Sequence, residues 1–292
     1  MIILQIQGGL GNQLFQYAMA KSLSCRLGKQ LYLDISFYRY SQEREYNLDF
    51  FPNIVERPIL GTKRDYDKLM SIKSYINRLN DNYEDISVVS YSERTAMFNV
   101  YNVFPLFTED LIYMKGYFQS EMYFGDIGED IRNIFSVGIP NQYNKLLQQI
   151  RQTESVAVHF RRGDYVTSPH AAGFYVHCSM GYYQKSIEFI SHKVSKPLSL
   201  FIFSDDIQWV KANFYKVGCP VVFIENSVKQ HPAIPLLIMS KCKHQITANS
   251  SYSWWAAWLN NNPFKIVCTP ERWFKEVPNG DLVPDDWIRI KN

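Results

Sequence analysis

The chain has 292 residues, 46% of them apolar and 20% charged, and a formal net charge of +3. That length fills one large core or two domains of about 150 residues. The small positive balance, with no Lys/Arg run longer than two, excludes an electrostatic footprint for nucleic acid. Five scattered cysteines (Cys25, Cys178, Cys219, Cys242, Cys268) without CxxC spacing exclude a disulfide framework or a zinc knuckle.

The opening MIILQI is too short and too poor in flanking charge for a signal, and reads as a first strand over residues 2–6. Gly8-Gly9-Leu10-Gly11 reads as a tight turn. Residues 12–27 carry Leu14, Phe15, Ala18, Met19, Leu23 and Leu27 at helical spacing up to Gly28, and Leu31-Tyr32-Leu33 follows as a strand. Strand, glycine turn, helix and strand make a parallel crossover whose helix N-terminus faces the mouth of the sheet; the turn lacks the dinucleotide spacing, so no NAD site is read. Residues 61–110 are irregular, with a helix near 65–79. A strand returns at 111–118, and 122–135 holds helical segments broken near Gly125 and Gly128. The polar stretch 136–145, with Gly138 and Pro140, marks a boundary between domains 1–145 and 146–292.

Beyond it the alternation is regular: strand 156–160, helix 181–194, strand 199–203, helix 207–216, strand 221–224, helix 233–242, strand 244–248, helix 252–260 and a closing strand at 265–268. Short apolar runs separated by single helices predict an α/β fold with a parallel sheet. No window approaches the about 18 apolar residues that a membrane span needs, so the chain is expected to be cytoplasmic, soluble or at most peripheral to a membrane.

Three polar clusters share one address, the carboxyl ends of strands. HFRRGDY (159–165) follows the first strand of the second domain, Ser204-Asp205-Asp206 follows the next, and Asn249-Ser250-Ser251-Tyr252-Ser253 follows the strand at 244–248. Ligands of open parallel sheets bind there, and paired guanidiniums grip phosphate oxygens, so the convergence predicts a phosphate-bearing substrate. Each cluster also has a plainer reading: an ion-pair patch for Arg161-Arg162-Asp164, and helix caps for Ser204-Asp205 and the serine loop. Trp254, Trp255 and Trp258, at adjacent and i, i+4 positions, read as core. His170, His177 and His244 lack metal-ligand spacing and Asp205-Asp206 is not Asp-x-Asp, so no metal is expected and arginine must balance the phosphate. The abundance of Tyr and Phe, 20 and 19 residues, suits stacking on sugar rings as well as core packing.

GGLGNQLFQYA (8–18), HFRRGDY (159–165), FSDD (203–206) and ANSSYSWWAAWL (248–259), in that order over nearly the full chain, resemble the α-1,2-fucosyltransferases of glycosyltransferase family eleven. The resemblance implies a GT-B-type α/β architecture, two Rossmann-like domains with parallel sheets facing a cleft. It also implies GDP-β-L-fucose as donor, no cofactor or metal, and inversion to an α-1,2-linked fucose on a terminal galactose. The acceptor would be a galactoside oligosaccharide or a lipid-linked glycan held by the first domain. Arg161 and Arg162 match the arginines on the donor diphosphate and His159 a residue near the guanosine. Ser250, Ser251 and Ser253, with Asn249, match the phosphate cradle, and Asp205 stands with the donor-binding set. Asn12 resembles an asparagine that reaches the donor from the first domain. For the general base Asp164, Glu121 and His170 are candidates, Asp164 first by proximity to the arginines. One departure stands out: His231-Pro232-Ala233-Ile234-Pro235 occupies a segment where relatives often carry an acidic, guanine-reading residue.

Overall fold

A computed structural model describes residues 1–41, 43–56, 58–59, 87–93, 99–163, 168–214, 218–225 and 230–292, without the side chains of 58, 59 and 170. The helix expected at 65–79 and Asp164 lie outside the described residues, as does the side chain of His170. Two compact units emerge, Met1–Ser136 with Gly280–Leu282, and Val137–Asn279 with Val283–Asn292.

In the first unit β1 (Ile2–Gln5), β2 (Leu31–Asp34), β3 (Pro58–Ile59), β4 (Val88–Ser92) and β5 (Leu111–Lys115) form a parallel sheet in the order β3-β2-β1-β5-β4. β1 is buried along its whole length because it lies between two neighbours, which is why it reads as a continuous apolar run. α1 (Leu10–Leu27) follows it. The turn before this helix requires Gly8: its φ is +77°, and a Cβ there would stand 2.8 Å from the Asn12 amide nitrogen. The helix ends as expected at Gly28, in the left-handed region, where the N–H groups of Gly28 and Lys29 donate to Cys25 and Ser24 carbonyls.

Two expectations for this unit change. The stretch 61–110, read as irregular, contains β4, an edge strand whose exposed and half-exposed residues give no apolar signature. The strand expected over 111–118 stops at Lys115, because Gly116 abuts Glu93 and Phe118 takes a left-handed φ of 51°. α2 (Gly128–Ile134) then closes the helical stretch that was expected to break near Gly128.

The second unit begins with α3 (Asn144–Gln152), which buries Leu147 and Ile150 and lies against β6 (Glu154–Phe160). This helix was not expected; the second unit starts at Val137, within the polar stretch 136–145. The sheet continues through β7 (Leu198–Ser204), β8 (Val221–Phe223), β9 (His244–Ile246), β10 (Val267–Pro270) and β11 (Ile288–Ile290), parallel throughout, in the order β11-β10-β9-β6-β7-β8. β10 was not the last strand: β11, three half-exposed residues at the edge, is too short for a sequence signal.

Helices α4 (Pro169–Phe174), α5 (Met180–Val194), α6 (Ile207–Asn213), α7 (Ala233–Ser240) and α8 (Ser251–Trp258) connect these strands. α4 has no counterpart in the sequence reading. The core gathers Val156, Val158 and Phe160 of β6, Ile187 and Ile190 of α5, and Leu200 and Ile202 of β7. Trp254, Trp255 and Trp258 are buried and in mutual ring contact, so the tryptophans of α8 are core, as read. Among the described residues no helix is long and apolar enough to cross a membrane.

Candidate functional site

β6 runs to β7 and β8 on one side, while β9, β10 and β11 lie on the other. The order therefore reverses between β6 and β9, and such a switch point opens a crevice at the carboxyl ends of the strands. The loops after β6, β7 and β9 are the three polar clusters of the sequence.

Sheet register builds the first part of the site. Phe160 of β6 pairs with Ser204 of β7, so the next residues, Arg161 and Asp205, emerge side by side. Arg161 Nη1 lies 2.7 Å from Asp205 Oδ2, with the two side chains 22% and 25% exposed. The other Asp205 oxygen accepts the Arg162 backbone N–H at 2.9 Å. Gly163 completes this contact, since a Cβ there would meet Asp205 Oδ2 at 2.5 Å. Asp205 thus organises the arginine loop by holding both arginines, and the cap of the next helix falls to its neighbour. Asp206 is the cap. Its Oδ1 accepts the Trp209 N–H at 3.2 Å, and its Oδ2 takes Arg162 Nε at 3.3 Å. The Arg162 guanidinium carbon sits 3.4 Å over the Trp209 ring. Trp209 was absent from the expected site, and Asp206, though within the 204–206 cluster, had no role assigned to it. Their trace in the sequence is only the i, i+3 spacing of a cap, and the partner is more than 40 residues away in the chain.

His159 is 5% exposed, and its Nδ1 has no hydrogen-bond partner among the described residues. Burial first, and the Arg161 charge second, lower its pKa to about 3, so the imidazole is neutral. Its ring stands 5.6 Å from that of Tyr252, whose hydroxyl donates to the Pro232 carbonyl at 2.5 Å. The His231–Pro235 segment is therefore tied to the serine loop by backbone, without an acidic side chain. An unpartnered buried polar atom costs about 1–3 kcal/mol, so a ligand that supplied a partner would recover that cost.

The serine loop divides into two sets. Asn249, 2% exposed, donates to the carbonyls of Val176 at 2.7 Å and Trp273 at 3.0 Å. Ser253, equally buried, accepts the Ala248 N–H at 3.2 Å. The polar atoms of these two residues already serve the backbone that shapes the loop. Ser250 caps α8 by accepting the Tyr252 N–H, and Ser251 is the first helical residue, partly exposed. These two stand at the helix N-terminus, where backbone N–H groups favour anions.

Next to the arginines lies a cavity of about 150 Å³ bordered by Phe160, Arg161, Arg162, His177, Tyr183 and Trp209. Burial, then the Arg162 charge, lowers the His177 pKa. His244 is remote from the site, bonded to Glu154 at the amino end of β6. Among the described residues no group of His, Cys, Asp or Glu is arranged to hold a metal ion.

Asn12 belongs to the first unit, whose sheet has its own switch point between β1 and β5. Its Oδ1 accepts from Gln119 Nε2 at 2.8 Å, which links the glycine turn after β1 to the loop after β5. Glu121 lies just beyond, in a short 3-10 turn at Glu121–Tyr123. Glu93, at the carboxyl end of β4, accepts the N–H groups of Tyr117 and Phe118, and burial raises its pKa to about 7. It too was missed, for want of any pattern around the edge strand.

The profile described as Glycosyl transferase family 11 matches residues 1–288. The chain belongs to this family. An Escherichia coli protein named alpha-1,2-colitosyltransferase is 31% identical over 297 residues, 99% of each chain. The Escherichia coli O-antigen biosynthesis glycosyltransferase WbnK is 32% identical over 305 residues, covering 98% of this chain and 99% of its own. A crystal structure of POFUT1 in complex with GDP-fucose covers 92% of this chain and 97% of its own, with a TM-score of 0.51 at 12% identity, a likeness of fold. The architecture is GT-B-type α/β with parallel sheets, as the resemblance implied, and the chain is a fucosyltransferase-type glycosyltransferase.

Proposed function

We propose that this family 11 enzyme transfers L-fucose from GDP-β-L-fucose to the 2-hydroxyl of a terminal galactose, with inversion and without a metal. The observation that carries this reading is the arginine pair, held by Asp205 and Asp206 at the switch point of a parallel sheet. Sugar transfer builds positive charge on the fucose ring and negative charge on the departing diphosphate. Guanidiniums fixed before the reaction stabilise that negative charge without reorganising, and a donor of this kind contributes about 10²–10³ in rate. Arg161 and Arg162 take the phosphates, Ser250 and Ser251 refine their position at the start of α8, and the neutral His159 offers its unpartnered Nδ1 to the nucleoside.

Direct displacement needs a base for the acceptor hydroxyl, and Asp164 is assigned that role by its nearness in sequence to the arginines. In this reading the first unit serves the galactoside or lipid-linked acceptor, Asn12 is assigned to the donor, and no nucleic acid takes part. The enzyme works in the cytoplasm or against the inner membrane, on surface glycan.

The test incubates purified chain with GDP-fucose in chelator and a panel of β-galactosides, and then determines product linkage. Release of GDP that accelerates with galactoside, and an α-1,2-linked product, are expected. Binding of donor with no release would make the chain a sugar-nucleotide sensor, and loss of activity in chelator would overturn metal independence. The relative named alpha-1,2-colitosyltransferase gives a second reading, colitose as the sugar. Preference for a colitose donor in direct competition with GDP-fucose would establish it.

A further inference from the structure

We propose that Trp209 and Asp206 are positioning residues for Arg162, holding its guanidinium by face and by Nε so that its Nη edge meets the donor diphosphate. The inference rests on the reading that the site takes a nucleoside diphosphate. The guanidinium carbon lies 3.4 Å over the indole, a stacking distance that a planar, delocalised cation reaches and an ammonium does not exploit. Asp206 ties the same pair together with one carboxylate: Oδ1 on the Trp209 N–H, Oδ2 on Arg162 Nε. Because Asp206 caps α6 and Trp209 lies in its first turn, both restraints originate at the N-terminus of that helix. At the other end of the residue, the Arg162 backbone N–H is held by Asp205.

With one face on the indole and Nε engaged, the Nη groups and the opposite face are what a ligand can reach. Arg162 also borders the 150 Å³ cavity, so the held group meets open space. Asp206 is 43% exposed and its ion pair with Arg162 is correspondingly weak; the stack is the stronger restraint. An arginine ordered in the folded protein loses less freedom when the ligand arrives.

The experiment is a double-mutant cycle read by calorimetric titration with GDP, with thermal melts run on the same samples. Trp209→Leu should weaken GDP binding about tenfold, the scale of a lost, partly desolvated cation–π contact. Trp209→Phe, which restores an aromatic face, should recover most of that loss. In an Arg162→Ala background Trp209→Leu should change GDP affinity less than about twofold, because the group it positions is gone. Asp206→Ser, which keeps a helix cap, should weaken GDP by about threefold only when Arg162 is present. Equal losses with and without Arg162, or wild-type affinity in Trp209→Leu, would overturn the proposal. Should the leucine variant fail to fold, the phenylalanine and serine variants carry the same comparison. A wild-type chain that binds GDP yet never transfers fucose would refute the proposed function and leave the positioning role readable, while a wild-type chain that does not bind GDP would refute both.

Discussion

Two switch points, each beside the first strand of a parallel sheet, carry different chemistry. In the second unit the crevice is lined by guanidiniums braced by carboxylates. In the first it is built from neutral amides: Gln13 donates to the carbonyls of Gly8 and Glu45 at 3.0 and 2.8 Å, and Gln16 donates to the Gly116 carbonyl at 3.0 Å while its own oxygen accepts the Gln7 N–H. Gln119 completes the set by bonding Asn12. Amides pin the loops of the first crevice, whereas an electrostatic preference for a phosphate needs fixed positive charge. The braced arginines of the second supply that preference. Topology marks where a ligand binds, and side-chain charge decides which kind.

The sharpest way to break this contrast is to remove charge on one side and amide on the other. Arg161→Ala should lower kcat/KM for GDP-fucose about 10²–10³-fold with little change in Tm, whereas Gln119→Leu should leave GDP affinity within about threefold, as measured by steady-state kinetics and titration. A Gln119 variant that lost GDP as severely as the arginine variant would erase the distinction. Next in size, Asn249→Ala should destabilise the second unit by about 2–3 kcal/mol in denaturant melts, since two buried carbonyls lose their donor. An unchanged midpoint would return Asn249 from scaffold to ligand contact.

Titration separates the two crevices further. Glu93 in the first unit has its pKa raised by burial from 4.5 to about 7, so the folded chain keeps a proton that the unfolded chain releases. Its contribution therefore makes stability fall as pH rises from about 4.5 to 7. His159 has its pKa lowered from 6.5 to about 3, so the unfolded chain binds the extra proton and stability falls as pH drops from about 6.5 towards 3. The two slopes oppose each other where the windows overlap. Glu93→Gln keeps an acceptor for the loop amides but removes one slope, and its melts should show stability rising more steeply between pH 4.5 and 6.5 than in the wild type. Parallel pH profiles for the two proteins would contradict the assignment. The smallest effect expected is that of Ser250→Ala, about 1 kcal/mol for a lost helix cap, with a modest rise in KM for the donor.

Much of this was legible in the chain because it is local. The central strands of both sheets are apolar runs, α1 ends at Gly28 as read although it begins at Leu10, two residues before the expected start, and the clusters after β6, β7 and β9 announce their address by following those strands. What escaped is what depends on contacts remote in sequence or on exposed edges. The edge strands β4 and β11 pack too little to leave an apolar pattern. The ion pair of Arg161 with Asp205 follows from the register of β6 on β7, which a single strand does not encode. The backbone bonds of Asn249 and Ser253 escaped as well, because the residue types that cradle an anion are also those that satisfy a loop's own backbone. The stack of Trp209 on Arg162 had no local signal beyond a helix cap.

The central claim is that the arginine pair of the second unit is the diphosphate site. Calorimetric titration of GDP into wild-type and Arg161→Ala protein, both confirmed folded by melting, tests it most directly. Saturable GDP binding by the wild type that is lost or weakened at least about tenfold in the variant is the predicted result, given the strength of a charge-assisted contact to phosphate. Equal GDP affinity in the two proteins would contradict it.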